Sequence, residues 1–225
     1  MNKQKRSLCV SIQLTLVFLF LGINLSAVKA SRSGITLYVK SGAAGTCSSW
    51  ANACDLQQAL SAAVAGDQIW VETGTYKPTN GADRTISFNL KSGVKVYGGF
   101  PIGGGDWALR DPWTHITTLS GDIGTPVVNS DNSLHVVRGD YIDAKGRLDG
   151  FFIRDGNANI VGDPSDEWGG GLYCDHCQMT LQNLSFQDNH AKWGAGFLVN
   201  SGTPLLVESE FLDNHASENG GGMYN

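Results

Sequence analysis

The segment LSFQDNHAKWGAGFLVN, from Leu184 to Asn200, is followed 25 residues later by SEFLDNHASENGGGMYN, which ends the sequence at Asn225. Phe186, Asp188, Asn189, His190 and Ala191 recur as Phe211, Asp213, Asn214, His215 and Ala216. A third copy lies upstream: LDGFFIRDGNA, Leu148 to Ala158, aligns with LQNLSFQDNHA from Leu181 and LVESEFLDNHA from Leu206. Glycine clusters with an apolar follower, GGGLY at Gly169, GAGFL at Gly194 and GGGMY at Gly220, come after each copy. The first interval is 33 residues, and its surplus sits in IVGDPSDEW, which reads as an excursion loop. A stack of rungs tolerates one insertion that leaves the flanking pattern intact, because each rung contacts only its neighbours. A sandwich does not.

The rest of the chain agrees with a strand-rich coil. Glycine contributes 29 of 225 residues and charged residues only 16%, against about 7% and about 25% in ordinary globular chains. TISFNL, GVKVYGGF, TTLSGDI, LHVVRG, LDGFFIRD, GGGLYC and MTLQNLSFQD follow one another without an intervening helix. GITLYV and QIWVE supply earlier strands. Between them Asp55 and Gln58 form a capping-box pattern, and Leu56, Ala59, Leu60 and Ala63 make an apolar stripe at helical spacing. One short helix is predicted, at about Leu56 to Val64. The fold class is therefore all-β, a solenoid of about six or seven turns, in which the glycines serve corners and Asn189 and Asn214 bond backbone at turns.

Residues 1–30 read as an export signal: Lys3, Lys5 and Arg6, then the apolar run LTLVFLFLGINL, then Ala27, Val28, Lys29 and Ala30 before Ser31. The apolar stretch is nearly long enough to span a membrane, but Ser11, Gln13 and Thr15 shorten it. Removing it takes away four bases and no acid, leaving 12 bases against 21 acids, a net charge of −9. That balance disfavours nucleic acid or anionic lipid as partners, and the mature segment is not expected to insert into a membrane. Four cysteines remain, Cys47, Cys54, Cys174 and Cys177. An even number in an exported chain favours disulfides, and a bridge could close the SSWANA loop. For CDHC, a disulfide and two separate thiols both stand, whereas a metal or redox site lacks a second ligand pair.

The 25-residue period, the FxxN pairs (Phe186–Asn189, Phe211–Asn214) and the GG-apolar motifs resemble polymorphic outer membrane protein repeats. AGDQIWVETGTYKPT, GVKVYGGF, RDP and TTLSGDIG resemble the opening of bacterial secreted proteins built on a right-handed, pectin lyase-like parallel β-helix. The resemblance covers roughly Ile35 to Asn225. It implies an N-terminal cap and first turns over residues 31–115, β-helix repeats over 116–225, and a capping role for the predicted helix. GGGMY starts another strand with no polar cap, so further turns are expected beyond Asn225.

Aligning the repeats stacks Asp155, Asp188 and Asp213 in one column, with Gly156, Asn189 and Asn214 in the next and Asn157, His190 and His215 in the third. Adjacent strands lie about 4.8 Å apart, and carboxylates at that spacing repel by about 1 kcal/mol in water and about 3–4 at an effective dielectric of 20. The aspartates must therefore face solvent, accept from turn amides, or hold a cation. No metal site is expected, Ca²⁺ being the one ion the column would take. Asp188 and Asp213, with His190 or His215, are formal candidates for glycoside hydrolysis, and Arg154 and Lys192 for a lyase, but no catalytic signature matches and no catalytic residue is assigned. Asp163, Asp166, Glu167 and Trp168 leave the stack in the insertion, where Trp168 is expected to anchor the return. RGD at Arg138 to Asp140 and the sequon at Asn183 are chance matches, and Tyr97, Phe151, Phe152, Phe186 and Phe211 read as stacked core. The expected function is adhesion or glycan binding by an exported surface or secreted protein, with polysaccharide or a cell-surface molecule as partner. A polysaccharide lyase or glycoside hydrolase on the same scaffold is the alternative.

Overall fold

The computed structural model describes residues 33–160, 162 and 164–225; the export signal expected over 1–30 lies outside them. The described strands form three sheets of nine, five and three strands, and every strand pair is parallel. The long path of the first sheet runs Thr36–Val39, Gln68–Glu72, Lys95–Phe100, Arg147–Arg154, Thr180–Gln187 and Leu205–Val207. Each late turn visits the sheets in one order: Arg147–Arg154, Asn157–Ala158 and Leu172–Asp175, then Thr180–Gln187, His190–Trp193 and Phe197–Val199. A chain that returns in parallel to the strand it left one turn earlier is a parallel β-helix.

The register is the one the repeat predicts. Leu181 pairs with Leu148 and Leu206, Phe186 with Ile153 and Phe211, and His190 with Asn157 and His215. Like side chains therefore stack along the axis. Phe186 is fully buried with its ring 4.9 Å from Phe211 and 5.9 Å from Phe197, nearly parallel to both. The extra residues after Ala158 form an excursion containing a short 3₁₀ turn, Pro164–Glu167, and the ladder resumes undisturbed at Leu172.

Corners are made by left-handed backbone. Asp155, Asp188 and Asp213 have φ of 62°, 51° and 50°, and Gly169, Gly194 and Gly220 have φ of 65°, 60° and 70°. Aspartate is among the few residues that visit this region readily, which explains its place in the column. The glycine column is stricter: a Cβ on Gly194 would lie 2.8 Å from the Phe197 carbonyl oxygen and 2.9 Å from the Leu198 Cβ. Between these corners runs an asparagine ladder. Buried Asn189 donates from Nδ2 to the Ile153 carbonyl and to Asn214 Oδ1, both at 2.9 Å, and its Oδ1 accepts from the Gly156 amide. Asn214 repeats the bond one turn on, to the Phe186 carbonyl at 2.8 Å.

The helix is Leu56–Ala62, two residues shorter than expected, and buries Leu56, Ala59 and Leu60 at the start of the core. Asp55 caps it by accepting from the Gln58 amide at 2.7 Å. The reciprocal half of the capping box is missing, because the Gln58 side chain donates instead to the Gly45 carbonyl. Termination falls to Asp67, fully buried, whose carboxylate accepts from Val64 and Ile35 amides. Cys47–Cys54 and Cys174–Cys177 are both disulfides, which settles the CDHC alternatives in favour of the bridge. None of the described helices is long and apolar enough to cross a membrane.

Two aromatics expected in the stacked core are outside it. Tyr97 packs on the outer face against Trp107 at 4.9 Å, and Phe152 meets Trp113 edge-on at 5.8 Å. Both are covered by the segment that crosses the sheet between Phe100 and Thr117, which also carries Arg110. Its guanidinium lies over the Tyr97 and Trp107 rings and pairs with Asp149, a carboxylate that also bonds Arg147 and Asn183. Asn183, the sequon residue, is thus engaged in a polar cluster within its strand.

Candidate functional site

Two of the stacked columns meet on the third sheet. A left-handed corner precedes each of its strands: the chain turns at Asp155, Asp188 or Asp213 and then runs outward-facing polar residues alternating with inward alanines. Ala158, Ala191 and Ala216 fill the narrow inner side with Ala195, while His190, Lys192, His215 and Ser217 line the outside.

The aspartate column is held by a side chain, not by turn amides. Arg154 donates from Nε to Asp155 at 2.9 Å and from Nη2 to Asp188 at 3.0 Å. Asp155 also accepts from the Ser120 hydroxyl at 2.9 Å. One guanidinium thus relieves the repulsion between the first two carboxylates, and Asp213 stands exposed one turn further on. No group of three acidic, histidine or cysteine side chains converges as a metal site among the described residues.

The histidine column begins at Asn157, nearly buried, whose Nδ2 donates to the Asn129 carbonyl at 2.6 Å. Asn129 reaches in from the loop after Thr117–Ser120, and its side-chain amide lies 3.2 Å from His190 Nε2. Partial burial and the neighbouring His215 push His190 below the usual imidazole range, against the opposing pull of Asp188 and Asp155. A neutral ring can accept from Asn129 at that nitrogen. The His190 and His215 rings are 5.8 Å apart and tilted by 56°.

Asn159 and Glu167, from the excursion, form the far wall. Lys192 Nζ bonds Glu167 Oε2 at 2.7 Å, which holds the Glu167 carboxyl below its ordinary range and raises Lys192. Trp168 bridges to Trp193 and stacks on it at 5.7 Å and 7°, so it anchors the loop's return as its sequence position implied. The result is an open groove of about 370 Å³ lined by His190, His215, Lys192, Glu167, Asn157 and Asn159. It offers hydrogen-bond donors and acceptors at one-turn intervals along a rigid sheet.

Sequence reasoning found both columns but missed what ties them together. Arg154 had been weighed only for lyase chemistry, and Asn129 had no repeat counterpart to draw notice. Of the remaining candidates, Asp163 lies outside the described residues, and the cysteines and the RGD pair are absorbed structurally. Cys174 and Cys177 are fully buried in their disulfide. Arg138 and Asp140 pair with each other at 2.8 Å inside a strand, with Arg138 lying over the Tyr173 ring.

No family model matches this chain, and no curated protein matches it. Among solved structures it is similar to one described as "Crystal structure of pectate lyase Pel9A", with 21% identity, a TM-score of 0.42 and coverage of 74% of this chain. The match spans 38% of that structure's chain.

Proposed function

We propose that this is an exported β-helix protein that binds glycan along the third-sheet groove without cleaving it. The observation that carries the reading is the register-matched ladder of polar side chains, Asn157, His190 and His215 beside Asp155, Asp188 and Asp213. Glycans display hydroxyls at regular intervals, and a rigid sheet repeating its donors and acceptors every turn meets them without ordering cost. Export is supported by the two disulfides and by the signal pattern of residues 1–30. The repeat motifs resembling polymorphic outer membrane protein repeats favour display at the cell surface.

A binding role fits the carboxylates better than hydrolysis does. Glycoside hydrolysis requires two carboxyls acting as a pair, whereas Asp188 is tied to Asp155 through Arg154 and Asp213 stands exposed at the next corner. The test is incubation with pectin, alginate and related polymers followed by product analysis and pull-down. Retention on polymer without turnover, weakened when His190 and His215 are both changed to Ala, is expected. New reducing ends or unsaturated products would overturn the reading in favour of a lyase or hydrolase.

A further inference from the structure

On the other side of Asn129 lies a second pocket of about 310 Å³, lined by Thr118, Ser120, Asp122, Asn132, Arg154 and Asp155 among others. Its floor carries an unmet demand. Asn132 is 2% exposed and its Oδ1 has no hydrogen-bond partner, and Asp122 Oδ1 is likewise buried and unpaired. A buried acceptor without a donor costs about 1–3 kcal/mol, so N–H or O–H groups that reached these two oxygens would relieve that cost. Neither belongs to a repeat; both come from the loop 121–135, which is fixed in place. Arg84 donates to the Asn132 and Asn157 carbonyls at 2.6 and 2.8 Å, and Asp131 accepts from the Thr125 amide at 2.8 Å.

The pocket's charge narrows the visitor. The Arg154 guanidinium is already spent on Asp155 and Asp188, and the cation nearest Asp122 is Lys77, 3.8 Å from its other oxygen. That is beyond hydrogen-bond length, and Asp122 Oδ1 has no donor of its own. A uronate would bring a further negative charge to Asp122 and Asp155. A metal ion needs ligands converging on one point, which the described acidic side chains do not provide. An ammonium has three diverging donors and suits acceptors set apart around a pocket wall.

We propose that this pocket is a subsite for a primary ammonium group on a hydroxylated ligand, an amino-sugar residue of the glycan lying in the adjoining groove. Asp122 supplies the counter-charge, Asn132 Oδ1 accepts a second N–H, and Ser120 and Thr118 face the neighbouring hydroxyls. The assignment rests on the glycan reading of the groove.

The test is calorimetric titration of the full chain with a glucosamine tetramer, its fully N-acetylated counterpart, a tetragalacturonate, spermidine and Ca²⁺. The glucosamine tetramer should bind about tenfold or more tightly than the acetylated one, and the galacturonate weakest. Asp122→Asn should erase that preference while leaving the acetylated tetramer unchanged, and Lys77→Met, which removes the competing internal cation, should increase it. Equal affinity for free and acetylated tetramers, with both weakened by the His190→Ala/His215→Ala double variant, would overturn the ammonium subsite and leave the groove standing. Binding of none of the oligomers would overturn both readings. Spermidine as potent as the glucosamine tetramer would overturn the sugar as the amine's source, and tight Ca²⁺ binding lost in Asp122→Asn would overturn the ammonium in favour of a metal.

Discussion

The turns from Arg147 onward and those before it solve one problem in two ways. In the later turns, stability comes from likeness: Phe186 on Phe211, Asn189 on Asn214, Leu148 on Leu181 on Leu206. The earlier turns instead attach to them through unlike groups brought together once, such as Arg110 with Asp149 across 39 residues or Arg84 with Asn159 across 75. A repeated contact can be copied with its turn; a single long-range contact needs a dedicated loop. The candidate groove lies where the two meet, its sheet from the repeats and its end wall, Asn129, from an unrepeated loop.

The comparison is most directly attacked at Phe186. Phe186→Ala should cost about 4 kcal/mol, because the void opens between two stacked rings that cannot both collapse into it; denaturant titration reads the loss, and a cost near zero would show that like-on-like stacking does not carry the repeats. Asp149→Ala tests the other strategy. It strands Arg110, whose side chain is only 9% exposed, also takes the carboxylate from the more exposed Arg147, and should cost about 3 kcal/mol. Asn189→Ala should cost about 2 kcal/mol by leaving the Ile153 carbonyl and Gly156 amide unmet in a buried corner. Asn214→Ala, half-buried at the next turn, should cost less.

The smallest effect is a pH dependence from the earlier strategy. His135 is 3% exposed, its Nδ1 bonds the Gly169 carbonyl at 3.0 Å, and its Nε2 has no partner. Burial pushes the ring below its ordinary range, assisted by Arg138 and opposed by the Gly169 carbonyl and by Asp166 and Asp140. The folded state thus prefers the neutral ring. Its contribution is complete above the unfolded value near 6.5 and is lost as pH falls below it, by up to about 1.4 kcal/mol per pH unit. Melting temperatures from pH 7.5 to 5 should therefore decline, and His135→Gln should flatten that part of the profile.

These differences also explain what could be read from the chain beforehand. Periodicity reveals any feature that recurs, so register, the Phe core, the insertion and both polar columns were legible. Arg154 was visible but its role was not, because its bonds run to the column beside it and one turn along. Tyr97 and Phe152 were misplaced for a related reason: an alternating strand does not say which face a crossing loop will cover. Gln58 fits a capping box in sequence, yet a carbonyl brought near by the Cys47–Cys54 loop wins its side chain.

The asparagine ladder has a consequence for motion. In a coil of parallel strands, corners are where water first enters and where rungs would peel apart one at a time. Here the Gly156 amide is bonded by Asn189, and the Asn189 amide by Asn214 at 3.2 Å, so each corner is fastened to the next by side chains as well as by its strands. Opening one rung must break the bonds of its neighbour. The corner thus acts as a rivet line, and its amides should exchange with solvent as slowly as those in the centre of the first sheet.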